Sequence, residues 1–316
     1  MPGYTVVPNN LALLWNWYIM ASNGTVDTSY PVNNLNDWHH WNQTWIAAQS
    51  VAGTYTIILK CVNTNAALTA DWSVSGLGLV NANCDGATVS FWSLSSDTND
   101  ATNNIGTATS RASFALDGSI GNPNMLYSIS SVSAPAWYVK ITNGGSPFTL
   151  KLGNVVLGQA FDLGYPERPE SISMQSVGGL QTETGVSLQG RIVDPVVSKS
   201  LVFTDPTYMT KAALYDRTGV SASTATYNTL FRHFAYAKGL GHAGGYPTYT
   251  GITAGAGVPC LYHEGTNNGL SAAGRPAFYG NWSVSLDRNK FRNISELRVN
   301  ITDVSPRGSD VVPTTN

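Results

Sequence analysis

Trp38, His39, His40, Trp41 and Trp45 fall within one short stretch and are the residues whose types could do chemistry together. Indole faces stack on the C–H faces of pyranose rings, and Asn and Asp side chains can hold the hydroxyls. Trp38, His40, Trp41 and Trp45 are therefore a candidate glycan-binding set. The same rings also fill cores and interfaces, where they bury large areas. The following Ile46-Ala47-Ala48 has the character of core, so both readings stay open. A metal does not follow from His39-His40. Adjacent residues point apart on a strand, and no cysteine or further histidine stands at ligand spacing. No metal or other cofactor is expected.

Catalytic motifs are absent or out of context. Gly239-Leu240-Gly241-His242-Ala243-Gly244 spells G-x-G-x-x-G, but it follows an expected helix, whereas the dinucleotide fingerprint follows a strand. There is no G-x-S-x-G, Walker loop or H-E-x-x-H. His233, His242 and His263 could meet Asp216 or Glu264, but nothing in the sequence orders them into a nucleophile–base relay. Glu167 and Glu170 lie in a Pro-rich stretch and have the character of surface charge. The expectation is a protein without catalytic residues, not an enzyme.

Only 11% of the 316 residues are charged, against about 25% in an average soluble protein. Residues 1–155 carry four bases (Lys60, Arg111, Lys140, Lys151) against seven acids, and residues 156–316 carry thirteen against twelve. With no run of Lys and Arg, the field that gathers nucleic acid is missing. The densest basic group, Arg288, Lys290, Arg292 and Arg298, suits a solvated strand face. Leu11 to Met20 is too short to span a bilayer and is interrupted by Asn16. Met1-Pro2-Gly3 lacks the basic start of a signal peptide. Neither nucleic acid nor membrane insertion is expected. A neutral polar surface made without an export signal suits a particle assembled in a bacterial cytoplasm. Five Asn-x-Ser/Thr triplets, beginning at Asn23, Asn42, Asn281, Asn293 and Asn300, would then stay unmodified. Cys61, Cys84 and Cys260 form no C-x-x-C; Cys61 and Cys84 either pair or remain free thiols.

The elements that must position these residues are mostly strands. Trp137, Val139 and Ile141 alternate with Tyr138, Lys140 and Thr142; Phe148, Leu150 and Leu152 alternate with Thr149 and Lys151. Around Asn143-Gly144-Gly145-Ser146-Pro147 this predicts a hairpin over 137–157 with one apolar and one wet face. Strands are expected at Tyr55–Val62, Ala67–Val74, Gly86–Leu94, Ala112–Leu116, Leu126–Val132, Val196–Phe203, Tyr279–Leu286 and Ile294–Val304. Turns are expected at Asn63-Thr64-Asn65, Asn81-Ala82-Asn83 and Asp97–Asp100, and a loop over Thr102–Ser110. Tyr227, Leu230, Phe231 and Phe234 follow helical spacing, capped by Ser223 or Thr224 and ended by Gly239. That predicts one long helix over 223–238. The fold class is mainly β: two antiparallel β-sandwich domains, 1–155 and 156–316, the second with the helix.

Over residues 30–142 the order of Trp-rich loop, strand, Asn-rich exit, Ala87–Trp92 and Ala136–Ile141 resembles the galactose-binding-like (discoidin-like) jelly roll. A strand then runs into Gly153-Asn154-Val155-Val156-Leu157-Gly158-Gln159-Ala160-Phe161-Asp162-Leu163, followed by Gln181-Thr182-Glu183-Thr184-Gly185, one helix and a final strand pair. With the jelly roll before it, this order resembles siphophage minor tail proteins, tail-tip components related in architecture to distal tail proteins. The resemblance implies a structural, non-enzymatic virion protein of a tailed bacteriophage, made in the host cytoplasm. Its partners would be copies of itself in a ring or other symmetric assembly, and other tail proteins. The alternative is a carbohydrate-binding module reading a host-surface glycan through its Trp-rich N-terminal half.

Overall fold

The computed structural model describes residues 4–7, 10–13, 15–22, 28–36, 44–48, 55–62, 74–82, 87–95, 102–115, 124–143, 149–162, 171–175, 181–183, 186–188, 196–205, 259–264, 277–289 and 294–303. Among them the architecture is mainly β, and every strand pair is antiparallel. The helical elements among the described residues are 3-10 turns, Leu11–Leu13, Val32–Asn36 and Ile105–Thr107. The helix expected over 223–238 lies outside the described residues.

A five-stranded sheet runs β2 (Asn16–Ser22), β4 (Tyr55–Val62), β9 (Ala136–Asn143), β6 (Thr88–Leu94) and β7 (Thr109–Ala115). A four-stranded sheet runs β3 (Thr44–Ala48), β10 (Thr149–Gly158), β5 (Val74–Ala82) and β8 (Met125–Val132). Their facing sides form the main core. Trp17, Ile57, Leu59, Val89, Phe91, Trp137, Val139 and Ile141 come from one sheet, and Leu77, Leu79, Leu150, Leu152, Val155 and Leu157 from the other.

The hairpin expected over 137–157 is not formed. Trp137, Val139, Ile141, Leu150 and Leu152 do all face the core at 0% exposure. However, β9 pairs with β4 and β6, and β10 with β3 and β5. The chain passes from one layer of the sandwich to the other. Both strands send an apolar face to the same core, and that alternation is equally compatible with pairing or with crossing. Phe148 lies outside the described residues.

The expected wet face of β9 is also corrected. Tyr138 is fully buried, as is Lys60 beside it in β4. Segment 102–108 lies across this outer face. Lys60 Nζ donates to the Thr102 carbonyl at 2.9 Å and sits 5.8 Å from the centre of the Tyr138 ring. The Asn104 N–H donates to the Tyr138 hydroxyl at 3.0 Å. Ile58, Val62, Leu94 and Ala136 pack beneath, with Ile105 and Ala108 from the segment itself.

The four-stranded sheet is covered on its other side as well. A seven-stranded sheet runs β11 (Phe161–Asp162), β1 (Tyr4–Val7), β16 (Cys260–Glu264), β17 (Phe278–Asn289), β18 (Ile294–Asp303), β15 (Val196–Asp205) and β12 (Ser171–Gln175). Val7, Leu261, Ala277 and Tyr279 from this layer close a second core with Val80, Leu126 and Val156. Burial on both faces explains the continuous run Val155-Val156-Leu157, as in any sheet covered on two sides. A Cβ at Gly78 would meet the Leu261 side chain and come within 2.8 Å of the Met125 carbonyl. The third layer thus rests directly on backbone. Position 155 falls inside β10. A separate ribbon pairs β13 (Gln181–Glu183) with β14 (Val186–Leu188).

The turn expected at Asn81-Ala82-Asn83 is not one at its first two residues, which end β5. Asn81 takes the left-handed conformation (φ 51°) inside the strand, a region Asn tolerates better than most residues. Its N–H is held by Asn124 Oδ1 at 2.9 Å. Around this point the inward-facing set changes parity, from Leu77 and Leu79 to Ala82 in β5 and from Leu152 to Val155 in β10. Cys61 is a buried free thiol in the main core, and Cys260 is also unpaired by any disulfide; Cys84 lies outside the described residues.

Candidate ligand-binding cleft

The two lateral edges of the sandwich are built differently. On one side the 3-10 turn Val32–Asn36 lies against both β2 and β3. Asn36 Nδ2 donates to the Trp15 carbonyl at 2.6 Å, with the Leu13 and Ala12 carbonyls at 3.3 and 3.4 Å. Here too Asn10 joins the N-terminal segment to β10. Its Nδ2 donates to the Val155 carbonyl and to Asn154 Oδ1, each at 2.8 Å; its Oδ1 accepts from Leu157 N at 3.0 Å and Ala12 N at 3.1 Å. That edge is closed.

The opposite edge, between β7 and β8, is open. It holds a cleft of about 590 Å³ lined by Ser110, Arg111, Tyr127, Ser128, Ile129, Ser130 and Val132, a volume within the roughly 300–1,000 Å³ of small-ligand sites. Both strands lose register at this place. Phe91 opposes Ala112 and Trp92 opposes Ser110, so Arg111 is an extra residue without a partner on β6. On β8, Ser128 opposes Gly76 and Val132 opposes Val74, which leaves Ile129 to Ser131 facing the single residue Ser75. Bulges of this kind interrupt the ladder and re-aim side chains. Here they turn Arg111 and the Ile129–Val132 segment toward the shared opening.

The exposed Arg111 is anchored at one end. Its Nε donates to Ser93 Oγ at 2.7 Å, and no described carboxylate pairs with the guanidinium. Tyr127 is half-buried, its ring stacked on Phe114 with centroids 5.4 Å apart and planes at 20°. Phe114 in turn packs on Phe91 of the core at 6.2 Å. The aromatic wall is therefore fixed from behind. The hydroxyls of Ser110, Ser128, Ser130 and Tyr127 are uncommitted to other side chains among the described residues. Among the described residues that line the cleft there is no acid, histidine or cysteine. The cleft can hold a ligand by hydroxyl hydrogen bonds, an aromatic wall and one positive charge.

Of the residues singled out for glycan binding, Trp38, His40 and Trp41 lie outside the described residues. Trp45 lies on β3 opposite Lys151, and its side chain is outside what is described. Their neighbours in the aromatic stretch serve the core: Trp15 and Trp17 are 3% exposed, and the Trp17 indole N–H donates to the Ala12 carbonyl at 3.0 Å. His263, considered for a relay, is buried in β16; His233, His242 and Asp216 lie outside the described residues, as do Lys290, Arg292 and the glycine-rich 239–244. Among the described residues no three His, Cys, Asp or Glu side chains gather as a metal site. No described helix is long and apolar enough to cross a membrane. Sequence reasoning did not single out the cleft. The only signal for it was that Arg111 is one of two bases in the first 139 residues.

No protein-family model matches the chain, and no curated protein matches it. Eight solved chains do. One, described as "CBM32 of AlyQ in complex with 4,5-unsaturated mannuronic acid", is 16% identical and covers 44% of this chain and 95% of its own, at a TM-score of 0.28. A TM-score of this size assigns neither a fold nor a ligand.

Proposed function

We propose that this chain is a non-enzymatic carbohydrate-binding protein whose ligand enters the open edge of the sandwich. The observation that carries the reading is the cleft between β7 and β8. Two bulges converge on it, a braced tyrosine walls it, and its hydroxyls are uncommitted. Hydroxyl-lined concavities with an aromatic wall suit a sugar: the ring offers an apolar face, and the serines meet its hydroxyls. The test is a glycan array with the whole chain, repeated with Ser130→Trp. Ser130 is exposed, so the indole fills the cleft without disturbing the core. The expected result is a glycan signal that the variant loses at an unchanged melting temperature. A blank array, or a signal that Ser130→Trp leaves intact, would overturn the reading; the latter would return attention to Trp38–Trp45.

A second reading, compatible with the first, is a tail-tip subunit of a tailed-phage virion, of the minor-tail or distal-tail-like kind, in a symmetric assembly. One observation favours an assembled state. The edge strand β8, on the open side of the sandwich, carries neither a charge nor a proline, two of the usual guards against edge-to-edge association. Mass photometry and negative-stain microscopy of the purified chain test it. Closed rings support it, and a monomer at micromolar concentration that does not bind tails counts against it.

A further inference from the structure

We infer that the cleft selects an anionic glycan and that Arg111 pairs with its carboxylate. This rests on the carbohydrate-binding reading above and goes further in naming the chemical class. Arg111 sits at a bulge, where it has no cross-strand partner, and no described acid neutralises it. Its Nε bond to Ser93 Oγ at 2.7 Å fixes the guanidinium plane and leaves the two terminal nitrogens as a fork. That geometry matches a planar carboxylate with two parallel N–H···O bonds.

The surroundings remove the bland explanations. Ser93 is 2% exposed, so the anchor is part of the fold rather than a chance surface contact. General surface charge is not the reason for a base here, because residues 1–155 hold only four bases against seven acids. Of those four, Lys60 is buried beneath segment 102–108. Among the described lining residues no acid repels an anion, and no second cation supplies the dense positive charge that nucleic acid needs. Tyr127, Ser128 and Ser130 then meet the ring and hydroxyls of the same sugar that carries the charge.

The experiment uses the whole chain with uronate-containing and sialylated oligosaccharides, each paired with its neutral methyl ester, and with sulfated analogues. Affinities are measured at low and high salt. The expected result is binding of a carboxylated glycan that weakens with salt, falls about tenfold or more on methyl esterification, and falls as far for Arg111→Gln. Arg111→Lys restores only part of it, because an ammonium has no fork. Ser93→Ala gives an intermediate loss through the missing anchor. Equal binding of acid and ester, with Arg111→Gln silent and Ser130→Trp still blocking, overturns this inference and leaves the glycan reading standing. Preference for the sulfated analogues over every carboxylate overturns the carboxylate assignment. If no oligosaccharide binds the cleft at all, both fall together.

Discussion

Replacing Asn10 by alanine removes four hydrogen bonds with one side chain. Among the described residues β3 pairs with β10 from Thr149 to Leu152. Beyond that point the Val155 carbonyl and Leu157 N–H still point to the β3 side, since residues two apart present their backbone groups to the same neighbour. The Asn10 amide takes the place of the missing strand: its Nδ2 meets Val155 and its Oδ1 meets Leu157, as a peptide group would. Alanine leaves those two groups, Asn154 Oδ1 and the Ala12 N–H without this partner in a site where Asn10 is 2% exposed. Each buried orphan costs about 1–3 kcal/mol before relaxation. Allowing a water into the gap for part of them, the expected loss is about 3–5 kcal/mol in urea unfolding. Asn10→Asp sharpens the test at constant volume. Its carboxylate would face two acceptors and carry a buried charge, so at pH 7 it should be worse than alanine. Its folded pKa would lie above the ordinary Asp value of about 3.9. Stability should therefore be regained as pH falls toward that value and lost as pH rises. A loss below about 1 kcal/mol for alanine, or an aspartate variant as stable as wild type at neutral pH, would refute the strand-surrogate argument.

Three further outcomes follow from the layers. Gly78→Ala should cost about 1–3 kcal/mol, because the added methyl meets Leu261 and the Met125 backbone where the third layer rests on β5; unchanged urea stability would contradict that contact. Ile141→Asp, at 0% exposure in the main core, should abolish cooperative unfolding, whereas Thr88→Asp on the exposed side of β6 should stay within about 0.5 kcal/mol of wild type; comparable effects would contradict the register. Burial raises the Cys61 thiol well above its ordinary range. It should resist alkylation in the native state and react only on unfolding. The folded state keeps its proton longest, so the contribution of Cys61 to stability is full below about pH 8.5 and declines as pH rises beyond it. Labelling followed by mass spectrometry across that range checks both.

Local pattern was legible in this chain where a strand answers to one core. β4 spans the expected Tyr55–Val62, and the inward faces of β9 and of the start of β10 follow their alternation. What alternation cannot report is the neighbour. β9 and β10 present apolar faces toward one core from opposite sheets, and the short turn-forming segment between them fits a hairpin as well as a crossing. Tyr138 departs from its expected wet face for a related reason: whether a polar face is wet depends on what lies over it, and segment 102–108 carries no periodic signal. The cleft was hidden more deeply. Arg111 owes its position to a bulge, which exists only once β6 and β7 are paired, and the residues opposite it come from another sheet.

The pairing of β1 with β16 has a consequence for how the molecule is made. Thr5 stands opposite His263, so β1 must wait for a strand synthesised much later before this pair can form. Such long-range closure is slow, because chain entropy is lost before the contact returns anything. The sandwich sheets draw on strands between Asn16 and Gly158 and can form while the ribosome is still working. Until β16 emerges, the outer side of β5 and β10 is an apolar surface without its cover. That interval is where aggregation would begin and where a chaperone would be needed. A pulse-labelled chain should then acquire protease resistance in two stages, the sandwich first and the seven-stranded sheet only after β16 has emerged.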